Sequence, residues 1–468
     1  MARRDSGGAA RGMPDDGGAE REATDLLHGP LLGKVVRFAI PLAVTYIVEA
    51  LFTTVDSLVL GAFVSKDALA AVGDVAPISS LLLGLVTGLS IGLNVDVAEG
   101  IGSHDGPRVR AAVQGAVPLA LSTGAALGVA GMLATGPLLS LIATPGSVMG
   151  PARTYLLVYS AGMPAFGVYN FASAALRADG DSRSPLVALL AGCLTNLALD
   201  LVLGVWARLG VAGVACATVV AMAVASAVAV AALARTRGAV CLDLRRMRVS
   251  RPSMATVMRI GLPAGLQSAI FAVSNIVLQD AINGFGADAM AGCMASLNYE
   301  YLCYYMVTAF AQTCVTFTGQ NYAARDYGRC RRIFALCMAL GALSSAAFSL
   351  ATLAFARPLL ELFSTSPDVV AYGLQRVRIV AALDFLAFLY EVPAGALRGM
   401  GWSLMPAVII VLGSCGLRVA WVLTVFRALG SFESLMAVYP VSWVATGAAL
   451  LLAYAWVART ALRPGARS

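Results

Sequence analysis

Residues 35–63 read VVRFAIPLAVTYIVEALFTTVDSLVLGAF. The run carries three charges: Arg37 near one end, and Glu49 and Asp56 inside it. At about 1.5 Å per residue, a helix of this length crosses the ~30 Å hydrocarbon core of a bilayer. The run is too long for the apolar region of a secretory signal, so no signal peptide is expected. What precedes it is polar and Gly-rich, and residues 1–30 are expected to form a disordered cytoplasmic tail.

The rest of the 468-residue chain follows the same pattern. Hydrophobic residues make up 59% and charged residues 13%, and the mean hydropathy is +0.79. A soluble domain needs about 25% charged residues to cover its surface. This chain must keep most of its perimeter in lipid. Soluble enzymes and nucleic-acid binders are therefore excluded, and no nucleic-acid partner is expected. The nine cysteines form no C-x-x-C pair, the two histidines fall in polar segments, and no P-loop or H-E-x-x-H occurs. Neither a metal nor another cofactor is expected, and the chain is read as a non-enzyme.

Twelve apolar segments are long enough to span: about 35–63, 72–97, 109–133, 151–176, 185–206, 211–235, 256–284, 290–316, 332–355, 369–397, 405–427 and 435–458. The predicted class is an all-α integral membrane protein. Cytoplasmic loops carry an excess of Lys and Arg. With the N-terminus inside, 25 of the 33 basic residues fall on the inside, seven of them around the central loop. Both termini are therefore predicted to be cytoplasmic, in a multi-pass cell-membrane protein. The net charge of +7 reads as a topology signal.

The chain also repeats itself. Asp105-x-x-Arg108-x-Arg110 recurs as Asp326-x-x-Arg329-x-Arg331, a shift of 221. Leu176-Arg177-x-x-Gly180-x-Ser182-x-x-Pro185 recurs at the same shift as Leu397-Arg398-x-x-Gly401-x-Ser403-x-x-Pro406. Pro41 and Pro263 open the first helix of each half. Six helices return the chain to its starting side, so the two halves form a parallel repeat about an axis along the membrane normal. The expected layout is two pseudo-symmetric six-helix bundles: an N-terminal lobe at 31–235, a cytoplasmic linker at 236–255, a C-terminal lobe at 256–458 and a short tail at 459–468. Such repeats suit a transporter with a cavity between rocking bundles.

Ionisable groups in hydrocarbon are costly, and function is their default reading. Asn196 and Asp200 stand four apart on one face of the fifth helix. Asp56 is on the first helix and Thr218 on the sixth. Asp56, Asp200 and Thr218 lie roughly 10, 6 and 7 Å to the outer side of their helix midpoints. These four residues are the predicted ion-coupling group, taking a proton or Na⁺ (the Na⁺ at Asp56 and Asp200). Positions 221–222 later hold Leu417, Trp421, Val277 and Leu278, so the second half lacks this cluster. The candidates for the substrate cavity are Glu49, Gln267, Tyr301, Tyr305, Asp384 and Glu391. Asp384 and Glu391 are seven apart on the tenth segment, which places both on one helix face. Aromatic faces beside carboxylates suit lipophilic cations.

The stretch Ile40-Pro41-Leu42 through Val55-Asp56-Ser57-Leu58-Val59-Leu60-Gly61, followed by Ala68-Leu69-Ala70-Ala71-Val72-Gly73, resembles the opening of a prokaryotic multidrug and toxic compound extrusion (MATE) transporter. Asn196-Leu197-Ala198-Leu199-Asp200 and Gly395-Ala396-Leu397-Arg398-Gly399-Met400-Gly401 extend the resemblance, which runs from about residue 31 to 458. It implies a twelve-helix, two-lobe antiporter that expels organic cations and drugs in exchange for H⁺ or Na⁺. The family's N-lobe ion site maps onto Asp56, Asn196, Asp200 and Thr218. Some members carry a Glu on helix seven, near which this chain has Gln267, and some an Asp on helix ten, where Asp384 and Glu391 stand. The expectation is an H⁺-coupled exporter, with Na⁺ second, working as a monomer in membrane lipid. The alternative is a lipid-linked precursor flippase of the same superfamily.

Overall fold

The computed structural model describes residues 25–142, 144–146 and 148–462. Among these residues the chain is helical and has no strand. Twelve long helical stretches run in sequence. They are α1 (Leu31–Val59, continued by a π turn at Leu60–Val64), α2 (Lys66–Gly102), α3 (Gly106–Leu141) and α4 (Met149–Ala161 and Met163–Ala178). Next come α5 (Arg183–Leu199, continued by a π turn at Asp200–Trp206), α6 (Gly210–Arg235), α7 (Arg251–Asn283), α8 (Ala287–Ala323) and α9 (Tyr327–Ala354). The last three are α10 (Pro367–Gly399), α11 (Leu404–Leu429) and α12 (Phe432–Ala461).

Ten of these are long and apolar enough to cross a membrane on their own. The other two are α4 and α8. α4 is interrupted at Gly162. α8 carries Glu300, Gln312, Thr313, Thr316, Gln320 and Asn321, all buried among neighbouring helices. A helix shielded by protein on this scale does not need an apolar surface.

The repeated motifs are helix caps. Asp105 and Asp326 accept hydrogen bonds from the backbone N–H of Arg108 (3.0 Å) and Arg329 (2.9 Å), starting α3 and α9. The residues just before these caps, His104 and Arg325, are left-handed (φ 58° and 61°). Gly180 and Gly401 of the second motif are left-handed as well (φ 93° and 84°), as chain reversals after α4 and α10 require. The shared offset of 221 thus reports the same turn built twice.

Two large apolar cores correspond to two bundles. α1 is divided between them. Val48, Phe52 and Leu60 pack with the N-terminal bundle, whereas Val35, Phe38, Ala39 and Leu42 pack with the C-terminal one. Phe38 meets Phe317 edge-on, with ring centroids 5.4 Å apart. The expected disordered tail overlaps the description at residues 25–30, and there the expectation fails. Leu26 is buried in the C-terminal core. Arg329 donates to the carbonyls of His28 (3.0 Å) and Gly29 (2.9 Å), and Asn321 donates to that of Leu26 (3.3 Å). Residues 1–24 lie outside the description.

A second correction concerns α10. It is not one regular helix: a π turn at Val377–Ala381 and a 3₁₀ turn at Asp384–Ala387 separate its two α-helical parts. The 3₁₀ turn begins at Asp384, so the seven-residue spacing to Glu391 is not that of one regular α-helix.

The bundles meet along α2 and α7. A Cβ on Gly88 would stand 2.2 Å from the Gly265 nitrogen, and one on Gly102 would stand 1.9 Å from the Gln320 carbonyl oxygen. Small residues allow backbones to approach this closely where lipid gives helices no hydrophobic reason to associate. Hydrogen bonds reinforce the seam. Thr316 donates to Asn94 (3.1 Å), Gln320 to the Ala178 carbonyl (2.6 Å) and Ser253 to Asp96 (2.6 Å). Asp96 is also held, with Glu99, by Arg108 (both at 2.7–2.8 Å). These contacts occupy the half of each helix nearer the termini, the terminal side, and they close it.

Replacing Gly88 with Leu is expected to prise this seam apart. Spin labels at positions 103 and 324, read by pulsed dipolar spectroscopy, should report a mean separation longer by several ångströms (at least about the 2 Å extra that a side chain adds to helix spacing). An unchanged distance would show that α2 and α7 do not set the closure.

Candidate functional site

The N-terminal bundle holds a buried acidic pair. Asp56 on α1 and Asp200, at the start of the π turn of α5, are 3% and 0% exposed. Asn196 and Thr218 are buried beside them. The Thr218 hydroxyl lies 3.0 Å from Asp56 Oδ2 and 3.0 Å from the Val214 carbonyl, and its single proton can serve only one of them. Asp200 and Asn196 face the same Asp56 carboxylate. The four residues singled out by depth and spacing are thus brought together from three helices.

Most of the polar atoms here have no hydrogen-bond partner: Asp56 Oδ1, both carboxylate oxygens of Asp200, and both amide atoms of Asn196. Buried polar atoms are normally satisfied, and a cluster of orphans needs an explanation. Two negative charges side by side in a low-dielectric interior repel unless a proton or small cation sits between them. Carboxylate, amide carbonyl and hydroxyl oxygens are hard ligands, suited to H⁺ or to a hard metal cation. No arginine or lysine forms an ion pair with either aspartate among the described residues. Sequence reasoning missed Tyr155 on α4, a buried phenol next to both aspartates. It lies in an apolar run with no local signal to mark it.

The C-terminal bundle holds a cavity of about 180 Å³, lined by the halves of α7 and α8 farther from the termini together with α10, α11 and α12. Two of the six cavity candidates line it, Tyr301 and Asp384. The rings of Tyr301, Tyr305 and Tyr46 stack in sequence at 6.0 and 6.3 Å, which leads from the cavity toward α1. Glu391 lies behind the cavity wall and accepts a hydrogen bond from Tyr304 (2.8 Å). Gln267 accepts one from Arg398 (2.7 Å). Glu49 is half-buried, with Arg177 as its charged neighbour.

Arginines are the main feature that the sequence reading left unassigned. Arg376, 3% exposed, forms a bidentate pair with Glu300 (2.7 and 2.8 Å). Ser296 donates to the same carboxylate at 2.8 Å. Arg418 also lines the cavity and is 2% exposed. Their signal was present in the sequence, because a guanidinium at membrane depth is as costly as a carboxylate.

Twelve helices in two bundles, a closed seam on one side, a cavity on the other and a buried pair of unneutralised carboxylates define an integral membrane transporter rather than an enzyme. The chain belongs to the MatE family, whose model matches residues 41–202 and 263–423. Among its relatives is "Probable multidrug resistance protein YoeA" of Bacillus subtilis, 23% identical over 84% of this chain and 87% of that one. Another is "FAD transporter" of Shewanella oneidensis, 25% identical over 74% and 78%. The fold matches a solved structure described as the outward-facing conformation of a multidrug resistance MATE family transporter of the MOP superfamily. The TM-score is 0.84, with 20% identity and 94% and 98% coverage.

The Glu300–Arg376 pair gives a direct stability test. Arg376→Met strands a buried carboxylate and should cost about 3–5 kcal/mol. The double variant Glu300→Met/Arg376→Met should recover most of that loss. Thermal unfolding of the purified protein in detergent checks both; equal losses in the single and double variants would show that the pair is not what holds these helices.

Proposed function

We propose that the chain is a cation-coupled antiporter that exports organic, drug-like compounds across the cell membrane, with H⁺ ahead of Na⁺ as the coupling ion. The observation that carries this reading is the Asp56–Asp200 pair with its unpartnered atoms. Ion loading at Asp56 and Asp200, assisted by Asn196 and Thr218, favours one arrangement of the lobe, and substrate favours another. Coupling needs this difference in preference. The moving units are the lobes at 31–235 and 256–458. The excess of Lys and Arg on the terminal side supports cytoplasmic termini, and the closed seam then makes this an outward-open state. The protein works as a monomer in lipid and needs no resident cofactor.

The expected cationic cargo has one carboxylate partner in the cavity lining without an ion pair, Asp384, which is buried and whose Oδ2 is unpartnered. Glu300 is already neutralised by Arg376. The flippase alternative calls for a basic cavity. Here two arginines stand against two carboxylates in the lining, and the formal charge cancels.

The test is efflux of a fluorescent organic cation in everted vesicles under separate pH and Na⁺ gradients. Asp56→Asn and Asp200→Asn should each reduce gradient-driven transport at least about ten-fold, equivalent to ~1.4 kcal/mol, at unchanged expression. Normal pumping by both variants would reject the site. Displacement of bound dye by an undecaprenyl diphosphate, without ion-driven transport, would favour the flippase.

A further inference from the structure

Arg418 sits within the hydrocarbon-spanning part of α11 with no carboxylate oxygen within 4.0 Å among the described residues. Its hydrogen bonds go to neutral oxygens only: Nε to Ser442 Oγ (3.2 Å) and Nη1 to Asn275 Oδ1 (3.3 Å). Its guanidinium carbon stands 4.9 Å from the ring centres of both Phe271 and Tyr439. A guanidinium has five N–H donors in a rigid fork that matches a carboxylate, and these contacts use two of them. The aromatic faces hold the fork in place and shield it from lipid. Burying a cation without a paired anion is costly, and such an arrangement is retained where a ligand supplies the anion.

The surroundings define the rest of the ligand. Phe271, Tyr301, Tyr304, Tyr390, Tyr439 and Trp443 line the same cavity. Arg376 is taken by Glu300, so Arg418 is the arginine of the lining without a carboxylate pair. Asp384 shares the cavity and opposes an incoming anion, so it acts as the counterweight to Arg418.

We propose that the C-terminal cavity binds aromatic molecules bearing a carboxylate, with Arg418 as the anchor of the anionic group and the surrounding rings as the apolar pocket. Asp384 sets the threshold against which that anchor works. The proposal rests on the reading of the chain as an exporter and deepens it, because it extends the cargo from cations to aromatic acids.

The test measures binding without any ion gradient, so failure of the antiport reading and failure of this one are distinguishable. Two probes share one ring system and differ in charge: 2-naphthoate and 2-naphthylmethylammonium. Equilibrium dialysis against the full chain in nanodiscs of neutral lipid gives both affinities. Wild-type protein should bind 2-naphthoate saturably. Arg418→Gln should weaken naphthoate at least ten-fold while changing the ammonium probe less than three-fold, and Arg418→Lys should fall between. Asp384→Asn should act in the opposite sense, strengthening naphthoate and weakening the ammonium probe. It also keeps the proposal testable if Arg418→Gln does not fold. Absence of saturable naphthoate binding to wild type would overturn the proposal. So would unchanged naphthoate affinity in the Arg418 variants, or in Asp384→Asn.

Discussion

Two carboxylates buried side by side, with no arginine among the described residues to neutralise them, are the constraint on which the rest of this structure depends. Asp56 and Asp200 come from α1 and α5, which pack against each other, and a hydroxyl from α6 completes the group. Ionised together they push those helices apart. Occupied by a proton or a small cation they hold them together. On the proposed antiport reading, this difference gives the lobe the two arrangements that alternating access requires. The paired carboxylate of the other lobe behaves differently. Glu300 is bound on both oxygens by Arg376 and on one by Ser296, and that network fixes packing without a mobile charge.

The pseudo-symmetric repeat makes this contrast readable. Tyr155, next to the aspartate pair, and Arg376 are 221 positions apart, the interval that separates the caps at Asp105 and Asp326. One ancestral position is thus a phenol beside acids in the first lobe and a guanidinium beside an acid in the second. The scaffold was kept by its turns and the chemistry diverged inside it. The two lobes differ accordingly: the first holds the acidic pair without an arginine partner among the described residues, and the second an aromatic cavity whose lining mixes both signs of charge. The α2–α7 seam joins them, and α1, which carries Asp56, is packed half in each core.

The twelve helices, the two bundles and the grouping of Asp56, Asn196, Asp200 and Thr218 were legible in the sequence. Each leaves a mark that survives without coordinates: an apolar run, a fixed offset between motifs, an acid at bilayer depth. The cavity was only partly legible. Asp384 and Tyr301 were found because intramembrane acids and aromatics stand out, whereas Glu391, placed with Asp384 by its spacing, lies outside the lining. A 3₁₀ turn at Asp384–Ala387 lies between them and a π turn just before them, and neither has a composition signature. Arg376 and Arg418 were visible as charges within or at the ends of helices, but the cavity they line was not assigned to them. Residues 25–30 were read as tail because they are polar. Their order comes from Arg329 and Asn321, some 300 positions away, which local reading cannot supply.

The central claim is that ion loading in the first lobe and substrate binding are alternatives. The affinity of purified protein for a fluorescent organic substrate, measured at equilibrium across a grid of pH and Na⁺ concentrations, addresses it most directly. The account predicts that affinity falls as the coupling ion is raised, along the pH axis or the Na⁺ axis, and that this dependence vanishes when Asp200 is replaced by Asn. Affinity that is flat along both axes in the wild-type protein would contradict it.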